Sequence, residues 1–184
     1  MYEHDIKFSP ATGDNFPRTE LNGGAAPILE PDRPYCLRWN WVVDEYDLTA
    51  VPGYMFGFLQ LFANSPAGPN IMLRWELGRY FLYCDACRKT LALPGSIKDD
   101  IGVWGSWQLD FVLSTNASLG YIRVFKDGKA VGAFEGVTSK SSGHHVKTGI
   151  YTQHNATNVL NTSTCTENFK LLNLSAQAHW QALQ

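Results

Sequence analysis

Short apolar stretches, many of them alternating apolar and polar positions, recur along most of this 184-residue chain. They are rich in aromatic and β-branched residues and are bounded by Gly, Pro, Asn or Asp, which is typical of β-strands. The pattern predicts strands over 35–43, 54–62, 71–76, 78–83, 107–113, 121–126, 129–135, 145–151 and 168–174. Asp127-Gly128 separates two of these stretches and predicts a tight hairpin.

Helical periodicity is weak throughout the sequence. A single short turn is predicted over 97–101 and a terminal helix over 176–183, and no linker or repeat is visible. Regular short strands indicate an all-β protein, either a two-sheet sandwich or a jelly roll. The length suits one domain with a sizeable core, so we expect residues 1–184 to form a single domain.

Composition and charge limit the classes of molecule that this chain is expected to bind. Hydrophobic residues make up 45% of the chain and charged residues 17%, which predicts a folded globular protein. The formal net charge is −2 and no basic stripe occurs, so nucleic acid is not expected as a partner. No apolar run approaches the roughly 18–20 residues of a membrane span. An acidic polysaccharide remains compatible, because local charge matters there and Arg18, Arg74 and Lys147 could gather in one groove.

Two distant segments, 18–21 and 146–153, alternate chemically capable side chains with small or apolar ones. Alternate residues of a strand lie on the same face, so Arg18 and Glu20 share a face. The other strand places four polar residues on one face: His145, Lys147, Tyr151 and Gln153. Such a face is not a core face, and it predicts the floor of a groove for an anionic, hydroxyl-rich polymer.

These segments resemble motifs of known enzymes. Residues 8–13 and 16–21 resemble the region of the Arg-Ser/Thr-Glu-Leu motif in alginate lyases of polysaccharide lyase family 7, and 146–153 resembles their Lys-x-Gly-x-Tyr-x-Gln strand. The stretch 105–128 is similar to glucuronan lyases of family 20 and to heparin lyases. The resemblance covers roughly residues 6–175. It implies a concanavalin A-like β-jelly roll of two antiparallel sheets, with the groove on the concave face.

The resemblance also implies a reaction, the cleavage of a uronate polymer such as glucuronan or alginate by β-elimination. The sugar carboxylate must be neutralised, a base must take the C5 proton, and an acid must protonate the leaving oxygen. The motifs assign Arg18 and Gln60 to the carboxylate. Tyr151 is assigned as acid, and as base where nearby cations favour its tyrosinate form. Arg74 matches a substrate-facing strand, and an exposed arginine on a half-buried strand is the competing interpretation.

Two positions depart from the family pattern. Phe62 stands where the alginate lyases have a histidine, and Asn22 stands where a second arginine is common. Without that histidine, either Tyr151 acts alone on a linkage that permits same-side elimination, or a loop histidine replaces it. His154 and His4 are the candidates for that replacement.

The remaining polar residues of the motif strand are assigned to substrate binding. His145 lies six residues from Tyr151, about 20 Å along a strand, and Lys147 lies about 13 Å away. We therefore expect Lys147 to bind the carboxylate of a sugar next to the one that is cleaved. The predicted substrate-binding set is Lys147, Gln153, Glu20, Arg74 and His145.

The four cysteines leave several options open. Cys84 and Cys87 could form a zinc half-site, a redox motif or a local disulfide. A second ligand pair and a following helix are both missing from the pattern, so a disulfide near a hairpin end is favoured. We expect Cys36 and Cys165 to form a second bond, because a jelly roll often pairs its terminal strands.

The first five residues are polar and no signal peptide is visible, so the chain is either a mature domain behind a replaced leader or a cytosolic protein. Four Asn-x-Ser/Thr sequons favour secretion, and a secreted protein is expected. No cofactor is expected. The related glucuronan and heparin lyases often carry a structural calcium, and that site stays open here because no spaced acidic loop demands it. A monomer is expected.

Two alternatives to a lyase were considered. A glycosidase needs two carboxylates across the scissile bond, and the closest acidic cluster, 44–47, is typical of a solvated strand end. The stronger alternative is a non-catalytic carbohydrate-binding module on the same fold. Joint retention of Arg18, Gln60, Lys147 and Tyr151 favours the enzyme, and loss of the histidine favours the binding module.

Overall fold

The computed structural model describes residues 2–7, 18–22, 29–46, 55–64, 67–141, 143–152 and 161–173. For 2–7, 18–22, 45–46, 152, 161–169 and 173 it describes the backbone alone. The predicted helix over 176–183 lies outside these residues. Within them no helix is long and apolar enough to cross a membrane.

The described chain is almost entirely β-structure. In chain order the strands are β1 (Tyr2–Lys7), β2 (Arg18–Asn22), β3 (Pro34–Tyr46), β4 (Met55–Asn64), β5 (Ala67–Glu76), β6 (Arg79–Cys84), β7 (Lys89–Ser96), β8 (Gly105–Val112), β9 (Tyr121–Lys126), β10 (Lys129–Glu135), β11 (His144–Thr152) and β12 (Asn161–Asn173). One short helix, α1 (Ile97–Asp100), follows β7. The predicted all-β class is therefore confirmed.

Antiparallel pairing assembles the strands into two six-stranded sheets. The first sheet has the spatial order β1-β12-β3-β8-β9-β10, and the second has the order β2-β11-β4-β5-β6-β7. In both sheets, strands distant in sequence become neighbours, which is the arrangement of a β-jelly roll. The predicted two-sheet jelly roll is thus confirmed.

The hairpin between β9 and β10 shows how local sequence sets the strand ends. Asp127 has φ 51° and Gly128 has φ 73°, so both turn residues adopt the left-handed conformation of a type I′ turn. This turn twists in the same sense as the strands that it joins. Strands β9 and β10 consequently coincide with the predicted 121–126 and 129–135.

Aromatic side chains fill the space between the sheets. Trp41 of the first sheet stacks on Phe58 of the second with ring centroids 4.5 Å apart, and Phe56 stacks on Trp75 at 5.2 Å. All four side chains are buried. Burying each large apolar side chain contributes roughly 1.5–3 kcal/mol, so the aromatic content largely serves the core.

One of the two predicted disulfides is present. Cys84 and Cys87 are bonded, with Cα atoms 5.3 Å apart, and close the turn between β6 and β7. This confirms the predicted local disulfide near a hairpin end.

The predicted bond between Cys36 and Cys165 is wrong. Cys36 is a buried free thiol. Their strands, β3 and β12, do pair, but Cys165 lies opposite Val42, whereas Cys36 lies opposite Leu172. Val42 and Cys36 are six residues apart, or about 20 Å along a strand, which is far beyond disulfide reach. Strand register, which could not be read from the sequence, separates the two cysteines.

Candidate functional site

The second sheet brings the two predicted motif strands together. Strand β11 lies between β2 and β4, and Tyr151 pairs with Arg18 on one side and with Gly57 on the other. Gly57 in turn pairs with Arg74 of β5. Arg18, Tyr151, Gly57 and Arg74 therefore form one row across four adjacent strands, although they are widely separated in sequence.

A second row runs beside the first. Lys147 pairs with Asn22 of β2 and with Gln60 of β4. Gln60 pairs with Met72, which pairs with Tyr83 of β6. The two rows collect five of the predicted site residues on one sheet.

Both rows lie on the side of the sheet that faces away from the core. The residues that alternate with them along β11 and β5 belong to the core: Val146, Ile150, Ile71, Leu73 and Trp75. Since alternate residues of a strand point to opposite faces, the rows occupy the outer face of the second sheet. We call this surface, which carries Tyr151, Lys147, Gln60, Arg74 and Tyr83, the site face.

Gly57 lets Met72 and Tyr151 lie close to the backbone of β4. A Cβ atom at position 57 would lie 3.7 Å from Cδ1 of Tyr151 and 2.7 Å from Sδ of Met72. The Tyr151 ring and the Met72 side chain thus extend over the glycine from the strands on either side. A glycine inside a strand often marks such a close approach, and this was the sequence signal that could have identified the position.

Gln60 forms part of the floor of the site. It lies between Lys147 and Met72 and is only 2% exposed. The predicted role of Gln60 as a carboxylate ligand therefore requires the ligand to reach down to the sheet surface. The residue is on the predicted face, although it exposes little surface there.

Lys147 is held by an aromatic ring. Its Nζ lies 3.7 Å from the centroid of the Phe62 ring, which is the position where alginate lyases have a histidine. Lys147 is half-buried, and a cation on the face of an aromatic ring is attracted to that ring. Phe62 consequently serves as a support for a cation in this chain.

Arg74 is also oriented by an aromatic ring. Its Cζ lies 5.4 Å from the centroid of Tyr83, and Nη1 donates to the Met55 sulfur at 2.6 Å. Glu76 is at 3.8 Å from Nη2, which is long for an ion pair. The buried Nε of Arg74 has no hydrogen-bond partner among the described atoms. The side chain is 17% exposed, so part of its charge remains accessible from the site face.

His145 lies beyond Lys147, in the row of Phe62. It pairs with Phe62 in register, and its Nδ1 is 2.8 Å from Oδ1 of Asn64. Burial lowers the pKa of His145, and the charge of Lys147 lowers it further. The imidazole is therefore favoured in its neutral form, and it is not brought next to Tyr151.

Of the other two predicted residues, Glu20 is described by its backbone alone and Gln153 is not described. Glu20 stands opposite Gly149 of β11 in the backbone register, between the two rows. Gln153 lies outside the described residues, as do His154 and the segment 8–17.

A cavity of about 450 Å³ continues the site face beyond Arg74. Its walls include Asn70, Met72, Arg74 and Tyr83 of β5 and β6, with Asp85 from the turn after β6 and Lys140 from the loop after β10. Asp85 and Lys140 could not be predicted from the residue pattern, because only tertiary packing brings those two segments together. No group of three or more His, Cys, Asp or Glu side chains is placed to hold a metal ion in the described part of the chain.

Comparisons with known proteins identify the fold. No family model matches the chain, and no curated protein matches it by sequence. A solved alginate lyase from Pseudomonas aeruginosa aligns with a TM-score of 0.67 at 15% identity, covering 94% of this chain and 82% of that one. The family 7 alginate lyase A1-II′, solved with its substrate, aligns with a TM-score of 0.65 at 10% identity, covering 90% and 74%.

The same fold also occurs inside larger proteins. A chain named a sialidase aligns with a TM-score of 0.59 at 12% identity, covering 96% of this chain but only 16% of that one. Identities this low establish architecture and not activity. The fold implied by the sequence motifs is thus confirmed: the chain has the same β-jelly roll as these alginate lyase structures.

Proposed function

We propose that this protein is a polysaccharide lyase that cleaves a uronate polymer by β-elimination on the site face. The observation that carries the proposal is the row in which Tyr151 stands opposite Arg18 and extends over Gly57. Lys147 and Gln60 form the neighbouring row. The register thus collects a phenol, an arginine, a lysine and an amide on one sheet. Elimination at a uronate requires a proton carrier and groups that neutralise the carboxylate, and these residue types can supply both.

Each residue has a distinct part in the proposed reaction. Arg18 and Gln60 neutralise the C6 carboxylate, which makes the C5 proton acidic and stabilises the enolate-like charge that develops. Tyr151, acting as its tyrosinate, takes the C5 proton, and the electron pair left at C5 forms the C4–C5 double bond as the C4–O bond breaks. Tyr151 then returns the proton to the leaving oxygen. This sequence requires the C5 proton and the leaving group to lie on the same side of the sugar.

The cations of the site face favour a substrate with a carboxylate on successive sugars. Lys147 and Arg74 are both held against aromatic rings on the site face. We propose that they bind the uronates next to the cleaved bond, with glucuronan or alginate rich in mannuronate as the polymer. The reaction as written requires no cofactor, and a structural calcium stays a prediction from the resemblance. We also propose that the protein acts as a secreted monomer.

A non-catalytic carbohydrate-binding module is the second candidate. Phe62 favours the binding module. It stands where alginate lyases have a histidine, and its ring instead supports the Lys147 cation. The alignment with a small part of a sialidase chain agrees with a module embedded in larger enzymes. In this alternative the same cations would bind an acidic polysaccharide without cleaving it.

Ultraviolet absorbance of the product separates the two candidates. The purified protein is incubated with glucuronan, alginate, hyaluronan and heparin, and each reaction is followed for the conjugated double bond that elimination creates. A lyase produces this absorbance with at least one polymer. Binding to a polymer with no absorbance change from any of the four would instead establish the binding module.

A further inference from the structure

The cavity beside Arg74 is built as a binding site. Its volume of about 450 Å³ lies within the range of roughly 300–1,000 Å³ that small-molecule sites occupy. It opens on the site face, since Met72, Arg74 and Tyr83 belong to both. Arg74 is two strands away from Tyr151, a separation of about 10 Å across the sheet. The cavity therefore lies where a polymer bound at Tyr151 would place another of its sugars.

The walls of the cavity are fixed before any ligand binds. The side-chain Nδ2 of Asn70 donates to the carbonyl oxygen of Thr138 at 2.6 Å, and both residues are buried. The backbone N of Asp85 donates to the carbonyl oxygen of Asn70 at 2.8 Å. The Cys84–Cys87 disulfide closes the turn that carries Asp85. A rigid wall of this kind reduces the entropy lost on binding.

Charge in the cavity favours an anion that also carries hydroxyl groups. The charged lining residues are Arg74, Lys140 and Asp85, two cations and one carboxylate, so the lining has a net charge of +1. Asp85 accepts from Nζ of Lys140 at 2.9 Å and from the Tyr83 hydroxyl at 3.0 Å. Mainly because of the Lys140 hydrogen bond, the pKa of Asp85 is lowered, so this carboxylate remains an acceptor.

We propose that this cavity is a second sugar subsite, in which Arg74 and Lys140 bind the carboxylate of a uronate while Asp85 accepts from its hydroxyl groups. This inference rests on the proposed function, because it assumes that the ligand is an acidic polysaccharide. Asp85 competes with the uronate for Lys140, whose side chain is 43% exposed and can turn toward a ligand. The Lys140–Asp85 pair thereby sets the affinity of the subsite.

Two substitutions with opposite effects test the subsite. Lys140→Met keeps the aliphatic stem and removes the charge, and it should weaken binding of a long oligouronate about tenfold, the size expected for one charge-assisted hydrogen bond. Asp85→Asn keeps a side chain of the same shape and frees Lys140, and it should tighten binding several-fold. Lys129→Met, at an exposed lysine that does not line the cavity, is the matched control.

Calorimetry is carried out on these variants in a Tyr151→Phe background, with oligouronates of increasing length and with a carboxyl-reduced oligomer. The difference between Lys140→Met and the control should appear only above a minimum oligomer length and should vanish for the reduced oligomer. Thermal melting checks that each variant is folded.

The results separate this inference from the proposed function. If both substitutions weaken binding, or if neither differs from Lys129→Met, the subsite is overturned even where the wild-type protein makes unsaturated product. If the two effects are opposite in sign but the wild-type protein makes no such product, the subsite stands and the lyase proposal fails.

Discussion

The outer faces of the two sheets carry similar residues in different settings. On the first sheet, Arg123 lies 3.8 Å from Glu135 and 5.0 Å from the Tyr121 ring centroid. On the site face, Lys147 lies over Phe62 and Arg74 over Tyr83, with Glu76 at the long distance of 3.8 Å. The two faces share arginine–tyrosine stacking, so that contact alone does not distinguish a site.

What distinguishes the site face is its register. Tyr151 stands directly between Arg18 and Gly57, and a row with Lys147 and Gln60 lies beside it. On the first sheet, Gln108 donates to the carboxylate of Asp110 at 2.9 Å. Ion contacts and arginine–tyrosine stacking occur on both faces, so the site face is marked by the row that brings Tyr151 into register with Arg18 and Gly57.

The largest expected difference between the faces concerns the two tyrosines. Tyr151→Phe keeps the ring and its packing over Gly57 but removes the proton carrier, so turnover should fall by about 10²–10⁴ or become undetectable. Tyr121→Phe on the first sheet should leave turnover within twofold. Rates of unsaturated product formation measure both. Near-native turnover in Tyr151→Phe would show that another group transfers the proton.

The arginines provide the next comparison. Arg18→Ala removes a donor assigned to the reacting carboxylate and should lower kcat by about 10²–10³, whereas Lys147→Ala should have a smaller effect, mainly on KM. Arg123→Ala on the first sheet is the control and should be nearly silent. If Lys147→Ala were the more damaging change, the assignments of the two cations would have to be exchanged.

Substitutions at Gly57 test whether turnover depends on the position of the Tyr151 ring as well as on its hydroxyl group. A valine there would place branched carbons in the space under the Tyr151 ring, and displacement of a reacting group by about 1 Å can cost about 10² in rate. Gly57→Ala should be milder, since its Cβ would stand 3.7 Å from Tyr151 and would mainly shift Met72. Circular dichroism checks the fold of each variant. Equal activity of the two variants would remove the packing argument.

The smallest effect on turnover is expected for a substitution of His144, which lies on the inner face of β11. His144 is buried, and burial lowers its pKa from 6.5 to about 4. The unfolded chain therefore binds a proton first, so stability is intact above about pH 6.5 and falls by about 3 kcal/mol as the pH drops toward 4. In His144→Gln this part of the pH dependence should disappear, which urea unfolding at pH 7 and pH 4.5 would measure.

His145→Gln is the matched control for that experiment, because the pKa of His145 is also lowered but its side chain is less buried. It should change the pH dependence less than His144→Gln. Identical stability losses in the wild-type protein and in His144→Gln would mean that other groups cause the acid sensitivity.

Much of the fold could be predicted from residue patterns. Turn chemistry at Asp127-Gly128 gave β9 and β10 with their correct ends, and alternation in 145–151 placed Lys147 and Tyr151 on one face. Strand β1 was not predicted, because its polar sequence lacks an apolar alternation. Local patterns specify strands, whereas which strands pair depends on contacts between distant segments.

The features that could not be predicted from the sequence depend on the register between paired strands. Without the register of β3 and β12, the wrong Cys36–Cys165 bond was predicted. Without the register of β4 and β11, the row that contains Tyr151 and Gly57 could not be predicted. Asp85 and Lys140 are 55 residues apart and meet only through the packing of a turn against a loop. The motif residues were therefore found from sequence, but the cavity beside them was not.

Cleavage in water labelled with a heavy oxygen isotope tests the central claim most directly. Hydrolysis adds the oxygen of water to the products, whereas elimination creates a double bond and adds none. For elimination, mass spectrometry of uronate oligomers cut by the wild-type protein should show unsaturated ends and no label acquired at the cleaved bond. Labelled, saturated products would contradict the elimination mechanism, and intact polymer that is bound but never cut would contradict an enzyme altogether.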